Sequence, residues 1–220
     1  MTNLFRTIYN TIVRPKTPNK ISIHNGVAAR EVYLFDSADV FPGEKKHYLG
    51  ELSTSIESGD TVVQIGAGAG VSTVVASELS APEGKAITYE AGYEQAKIAE
   101  DTIELNRKTW RETSPVEIKH ALVGEAVNVY GEAGDPEIIA PNELPECDVL
   151  ALDCEGAELD ILQDILHTPK QIIVETHGWL GSGTDEVVEV LTDLGYEIET
   201  KIGDRPTKDN YIIRGFNPNE

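Results

Sequence analysis

Cysteines, aromatic residues and basic residues are all scarce in this chain. Two cysteines, Cys147 and Cys154, among 220 residues exclude a disulfide-stapled scaffold and point to a reducing, cytoplasmic setting. No run of 18 apolar residues occurs, which excludes an ordinary membrane-spanning helix. The stretch from Met1 to Lys20 carries Arg6, Arg14, Lys16 and Lys20 but no apolar core of the signal-peptide kind. Only 18 Lys and Arg stand against 38 Asp and Glu, a formal net charge of −20. A field of that sign repels nucleic acid and anionic membranes, so a phosphate-tracking partner is excluded. The acids run from Glu31 to Glu220 rather than forming one tail. A diffuse acidic surface suits high salt, where screening weakens self-repulsion, and points to a halophilic source.

With apolar residues at 40% and 19 glycines, the composition is that of a folded domain. The first 58 residues read as an extension of helix, hairpin and helix. Leu4, Phe5, Ile8, Ile12 and Val13 mark one amphipathic face. Asn25-Gly26, flanked by Ile21–Ile23 and Val32–Phe35, predicts a hairpin turn. Lys45 to Glu57 reads as a helix with Tyr48, Leu49, Leu52 and Ile56 on one side. From Gly59 to Glu220, strands at 61–65, 85–89, 116–120, 148–152 and 171–174 alternate with helices at 71–79, 93–110, 155–166 and 184–194. Two closing strands follow, at 196–200 and 211–214. The stretch from Ala121 to Glu146 is loop-rich, with a small strand at Val127–Tyr130. Such alternation predicts a parallel sheet with both faces covered.

The segment Gln64-Ile65-Gly66-Ala67-Gly68-Ala69-Gly70 joins a strand to a helix. Glycines at alternate positions let a ligand approach the main chain, and the helix start offers free N–H groups. That fits a nucleoside-containing cofactor, though a structural turn accounts for it as well. Glu90 ends the next strand, 20 residues after Gly70, where a carboxylate accepts hydrogen bonds from ribose hydroxyls. The spacing G-x-G-x-G is not the G-x-G-x-x-G of dinucleotide folds.

The fourth strand ends in Asp153-Cys154-Glu155-Gly156-Ala157-Glu158, and the fifth in Glu175-Thr176-His177. With the glycine turn, Glu90 and Asn106, these residues resemble the FkbM family of S-adenosylmethionine-dependent methyltransferases, over roughly Gly59 to Gly178. The resemblance implies a doubly wound, Rossmann-like class I methyltransferase fold of the α/β class: a seven-stranded sheet whose last strand is antiparallel. It places Gly66, Ala67, Gly68 and Gly70 against the amino acid portion of S-adenosylmethionine and Glu90, with Ala91, at the ribose. Leu122 and Val123 then lie near the adenine, and Asp153 lies beside the methyl group. Gln64, counted with the cofactor-binding residues, stands where such enzymes usually carry an acid that organises the loop; it can still hydrogen-bond but brings no charge, so weaker cofactor binding is expected.

A hydroxyl acceptor must lose its proton, and Asp153, Glu155, Glu175 and His177 are the candidate bases; histidine suits neutral pH best on its ordinary pKa. Asp153, Glu175 and His177 also make a donor set for a divalent cation, Mg²⁺ by the carboxylates or a transition metal by the imidazole. Glu158 reads mainly as a first-turn acid of a helix. Cys154 reads as a small buried residue. The expected activity is O-methylation of a sugar, glycan or other small-molecule hydroxyl, with self-association left open. Two rivals stand beside it: a methyltransferase-like binding module without turnover, and an NAD-linked oxidoreductase. The second lacks both the dinucleotide spacing and a Tyr-x-x-x-Lys pair.

Overall fold

A computed structural model describes residues 9–13, 16–36, 39–109, 111–124 and 133–220. The hairpin predicted at Asn25-Gly26 is formed by β1 (Asn19–His24) and β2 (Val27–Tyr33). Asn25 and Gly26 both have positive φ, 48° and 87°, as a two-residue turn matching strand twist requires. A short β3 (Val40–Phe41) pairs parallel to β1. Tyr9–Val13 is a π-helical turn. The rest of the expected N-terminal helix, with Leu4, Phe5 and Ile8, lies outside the described residues, as does Val127–Tyr130.

Among the described residues the main sheet has eight strands. These are β4 (Thr61–Ile65), β5 (Lys85–Glu90), β6 (Val116–Val123), β7 (Glu137–Ile139), β8 (Val149–Leu152), β9 (Gln171–Glu175), β10 (Glu197–Arg205) and β11 (Asn210–Phe216). Their spatial order is β10-β11-β9-β8-β4-β5-β6-β7. The last strand, β11, runs antiparallel to both neighbours, while the pairs from β9 across to β7 are parallel. The antiparallel last strand is the one expected. The eighth strand is β7, which pairs with Ala121–Val123 after β6 runs three residues past His120. It is too short for a period to betray it, and Ile138 is exposed on its outer edge.

Neighbouring strand residues face opposite layers, as a period of two dictates. Val63, Leu150, Ile172 and Ile213 enter one apolar cluster, with Ile161, Leu162, Val187 and Leu191. Val62, Val149, Ile173 and Ile212 enter the other, with Tyr48, Leu49 and Leu52. The helices that cover the sheet are α1 (Lys46–Ser55), α2 (Val71–Leu79), α3 (Tyr93–Arg107), α4 (Glu158–Asp164) and α5 (Thr184–Asp193). Helix α4 starts three residues later than the pattern suggests, because Glu155 and Gly156 both take positive φ, 52° and 104°. Asn106 on α3 fastens the hairpin: its Oδ1 accepts from Ala28 N at 3.2 Å and its Nδ2 donates to Ala28 O at 2.8 Å. Arg111 adds a second tie, pairing with Glu78 and donating to Gly26 O at 2.9 Å. No helix among the described residues is long and apolar enough to cross a membrane.

Candidate functional site

The chain runs from β4 outward to β7 and returns to β8 on the other side of β4. Strand order therefore reverses between β4 and β8, and ligands of open α/β sheets bind beyond the carboxyl ends at such a point. A cavity of about 230 Å³ lies there, lined by Gly66, Ala67, Gly68, Glu90, Ala91, Leu122, Val123, Asp153 and Glu155 among others. The structure thus brings together most of the residues the sequence singled out for a cofactor. Gly70 and Gln64 stand behind them. Gln64 is buried; its Nε2 donates to Ser72 Oγ and its Oε1 accepts from Thr73 Oγ1 at 3.1 Å. It ties the end of β4 to the first turn of α2 without reaching the cavity.

Two glycines of the turn are needed for different reasons. A Cβ on Gly66 would lie 1.9 Å from the carbonyl oxygen of Asp153, so the ends of β4 and β8 touch main chain to main chain. A Cβ on Gly68 would meet nothing within 4 Å, and its φ of 51° turns the loop over open space. Glu90 closes the far side of the loop. Its Oε2 accepts from Ala67 N at 2.9 Å and Gly68 N at 3.0 Å, and its Oε1 accepts from Gly92 N at 2.8 Å. Burial raises its pKa, and these three N–H groups hold it down in part. The loop cradle, this carboxylate and the apolar wall at Leu122 and Val123 fit a ligand with a polar tail, a diol and a flat base.

Beside the cavity lies a cluster of charge. His177 is 3% exposed, and its Nδ1 is hydrogen-bonded to Oε1 of the wholly buried Glu158 at 2.7 Å. That bond aims Nε2 at Asp153 Oδ1, 3.8 Å away, and at Glu155 Oε2, 3.9 Å away. Burial alone would lower the His177 pKa; Glu158, then Asp153 and Glu175, push it up to about 9. The same pairing keeps Glu158 below its ordinary value against the opposing effect of burial. Glu175 is buried and pushed up to about 7, by desolvation first and then by Asp153, while Lys45 and Asn210 Nδ2 (3.1 Å) oppose the rise. Asp153, Glu175 and His177 each bring one ligand atom within 4.8 Å of the others, so the donor set foreseen for a cation is assembled. Burial pushes the Cys154 thiol well up, which fits a bystander rather than a nucleophile.

Lys45 was not foreseen from the sequence. Its ammonium is ion-paired with Asp153. Burial would lower its pKa, but the carboxylates of Asp153, Glu175 and Glu155 raise it, so it stays charged. Lys45 takes a positive φ of 50° just before α1, a strained choice for a side chain and a pointer to function. The partnership of Glu158 with His177 also escaped detection, because an acid in a first helical turn is ordinary. Among the described residues, the buried Asn210 Oδ1 beside Glu175 has no hydrogen-bond partner. Orphans of that kind gather where water or a ligand is to be held.

Solved structures share this architecture. Trm5b from Pyrococcus abyssi superposes with a TM-score of 0.54 at 15% identity, over 91% of this chain and 56% of that one. The ribosomal protein L11 methylase from Lactobacillus delbrueckii subsp. bulgaricus gives 0.53 at 14% identity, over 85% and 90%. Aeropyrum pernix fibrillarin, with natively bound S-adenosyl-L-methionine, gives 0.51 at 15% identity, over 90% and 82%. These likenesses define the Rossmann-like methyltransferase fold. Among curated proteins none matches this chain. The sequence profile of the methyltransferase FkbM domain matches residues 21–198, well over half of the chain. The protein belongs to the FkbM methyltransferase family and is an S-adenosylmethionine-dependent methyltransferase.

Proposed function

We propose that this chain methylates a hydroxyl oxygen of a sugar, glycan or other small molecule. The observation that carries the reading is the Glu158–His177 pair beside Asp153, with Nδ1 held at 2.7 Å and Nε2 turned toward the carboxylate at the cavity wall. Bound S-adenosylmethionine supplies an electrophilic methyl group that needs an aligned nucleophile more than activation. Gly66, Ala67, Gly68 and Gly70 shape the site for its amino acid portion. Glu90 and Ala91 take the ribose, and Leu122 and Val123 the adenine. Asp153 receives the proton of the acceptor hydroxyl as the new O–C bond forms and the C–S bond breaks, leaving S-adenosylhomocysteine. At neutral pH His177 is charged, so it stabilises the developing alkoxide together with Lys45, and the base role passes from histidine to Asp153. Glu155 flanks the acceptor, and Glu175 supports Asp153.

A divalent cation is a second reading of the same cluster, favoured by the convergence of Asp153, Glu175 and His177. It would hold the acceptor oxygen, with carboxylates suited to Mg²⁺ and the imidazole to a transition metal. Lys45 would then have to release Asp153. The acidic surface and scarce cysteines support a cytoplasmic enzyme of a halophile, acting on small molecules rather than nucleic acid. The test is methyl transfer from labelled S-adenosylmethionine to hydroxyl acceptors in molar KCl, by protein treated with EDTA and then with Mg²⁺ or Mn²⁺ restored. Turnover lost in Asp153→Asn with cofactor binding intact supports the reading. Transfer to nitrogen or carbon acceptors alone overturns it, as does cofactor binding without turnover on any acceptor, which supports the binding-module rival. Activity indifferent to EDTA removes the cation.

A further inference from the structure

The short turn Gly178–Leu180 follows β9 and carries Trp179, 41% exposed. That exposure does not come from a slack chain. Gly178 N donates to Asp209 O at 3.0 Å, Leu180 N donates to His177 O at 2.7 Å, and Ser182 Oγ donates to Gly156 O at 2.9 Å. A Cβ on Gly178 would lie 2.3 Å from the Asp209 carboxylate, so the turn is clamped from behind. A large, partly exposed apolar ring is therefore carried on a fixed turn of main chain.

Its position is informative. The indole stands edge-on to His177, with ring centroids 5.1 Å apart. His177 Nε2 faces Asp153 and Glu155, and both of these line the cofactor cavity. Trp179 is thus one imidazole removed from two acids of the cavity wall, without lining the cavity itself. Around that cluster the side chains of Lys45, Glu155 and Trp179 are each about two-fifths exposed, at 41%, 42% and 41%. Asp153 and His177 are the buried members of the cluster.

We propose that Trp179 is the stacking platform of the acceptor site and that the acceptor is a neutral pyranose ring. This rests on the O-methylation reading and names its substrate class. A pyranose presents an apolar face of C–H groups, which covers an indole, and an edge of hydroxyls. Ionised carboxylates only accept hydrogen bonds, so Glu155 and Asp153 suit the hydroxyl edge, and the cations of the cluster, Lys45 and His177, are already matched by Asp153 and Glu158, which leaves neither to hold an anionic substituent. Stacking on Trp179 holds one hydroxyl over Asp153 and the next toward Glu155. The Lys208 ammonium lies 5.4 Å from the indole centroid, an exposed cation–π contact that a ring displaces.

The test uses the full chain in molar KCl and a panel of methyl hexopyranosides. Cyclohexanol and catechol serve as non-sugar hydroxyls, and a methyl glucuronide serves as the anionic arm. Methyl transfer is followed for wild type, Trp179→Ala and Trp179→Phe, with S-adenosylmethionine affinity measured by calorimetry as a control on folding. Expected is turnover of a neutral pyranoside. Its KM should rise at least tenfold in Trp179→Ala and stay within about threefold in Trp179→Phe, with cofactor affinity unchanged in both. An unchanged KM in Trp179→Ala overturns the proposal. So does turnover confined to catechol, cyclohexanol or the glucuronide, which leaves O-methylation standing. Cofactor binding with no hydroxyl acceptor methylated removes both readings together.

Discussion

Replacing Glu90 with alanine tests the cofactor site most directly. The carboxylate accepts from three backbone N–H groups, on Ala67, Gly68 and Gly92, of the roughly four bonds that two oxygens can accept. Ribose hydroxyls donating to it must share or displace these bonds. A charge-assisted hydrogen bond contributes about 1.5–3 kcal/mol, so two would bring roughly 3–6 kcal/mol if nothing were given up. With most of the capacity already in use, a net contribution of about 1.4–3 kcal/mol is expected. At about 1.4 kcal/mol per tenfold, Glu90→Ala weakens S-adenosylmethionine binding at least tenfold. The same change strips the loop amides of their acceptor. Hydrogen exchange at Ala67 and Gly68 in the free protein should therefore speed up, while the strands stay protected. Glu90→Gln keeps one accepting oxygen and should fall between the two. Calorimetry with S-adenosylmethionine and S-adenosylhomocysteine, paired with hydrogen exchange, measures both effects. A folded Glu90→Ala protein that binds within twofold of wild type would refute the ribose role.

Four further substitutions probe the frame and the charge cluster. Gly66→Ala places a methyl group on the Asp153 carbonyl and should lower stability by about 3 kcal/mol or more, read as a fall in denaturation midpoint; an unchanged midpoint would contradict the contact. Lys45→Met should lower kcat by about 100-fold with cofactor affinity nearly unchanged, and an unaltered kcat would remove Lys45 from the chemistry. In EDTA-treated protein the His177 imidazole should titrate at about 9, followed by NMR, and return toward its ordinary value in Glu158→Gln. Since its folded pKa is raised, the stability it contributes is full below the unfolded value near 6.5 and lost as pH rises through about 9. Melting temperatures of wild type should accordingly fall over that window more steeply than those of His177→Gln; parallel curves would sink the assignment.

Much of the sheet could be read from the chain because its strands are short apolar runs bounded by glycine and acid. Gly66 to Gly70, Glu90 and Asp153 were legible for a related reason: each follows a strand, and strand ends in such a fold converge. Lys45 was not legible. It belongs to no strand, and only the packing of Tyr48 and Leu52 under the sheet carries it to Asp153, more than a hundred residues away in the chain. Glu158 does stand in the first turn of a helix, as read, but its bond to His177 was not foreseen, since it needs α4 to begin late, after two residues of positive φ. The strand β7 was missed because three residues at an exposed edge leave no period. Gln64 looked like a weakened cofactor contact, whereas its two hydroxyl partners on α2 make it a brace inside the fold.

The contact between Gly66 and the Asp153 carbonyl has a mechanical meaning. Gly66 N donates to Tyr89 O at 2.9 Å, and Asp153 N donates to Ile65 O at 2.9 Å. On the proposed reading, the turn that holds the donor and the acid that meets the acceptor are thus two faces of one stiff piece of main chain. Side chains around the rim can be exchanged without altering the separation across which the methyl group travels. Reach would then be set by the backbone and choice of acceptor by the rim, so such a scaffold can be re-aimed at a new acceptor while its stroke length is preserved.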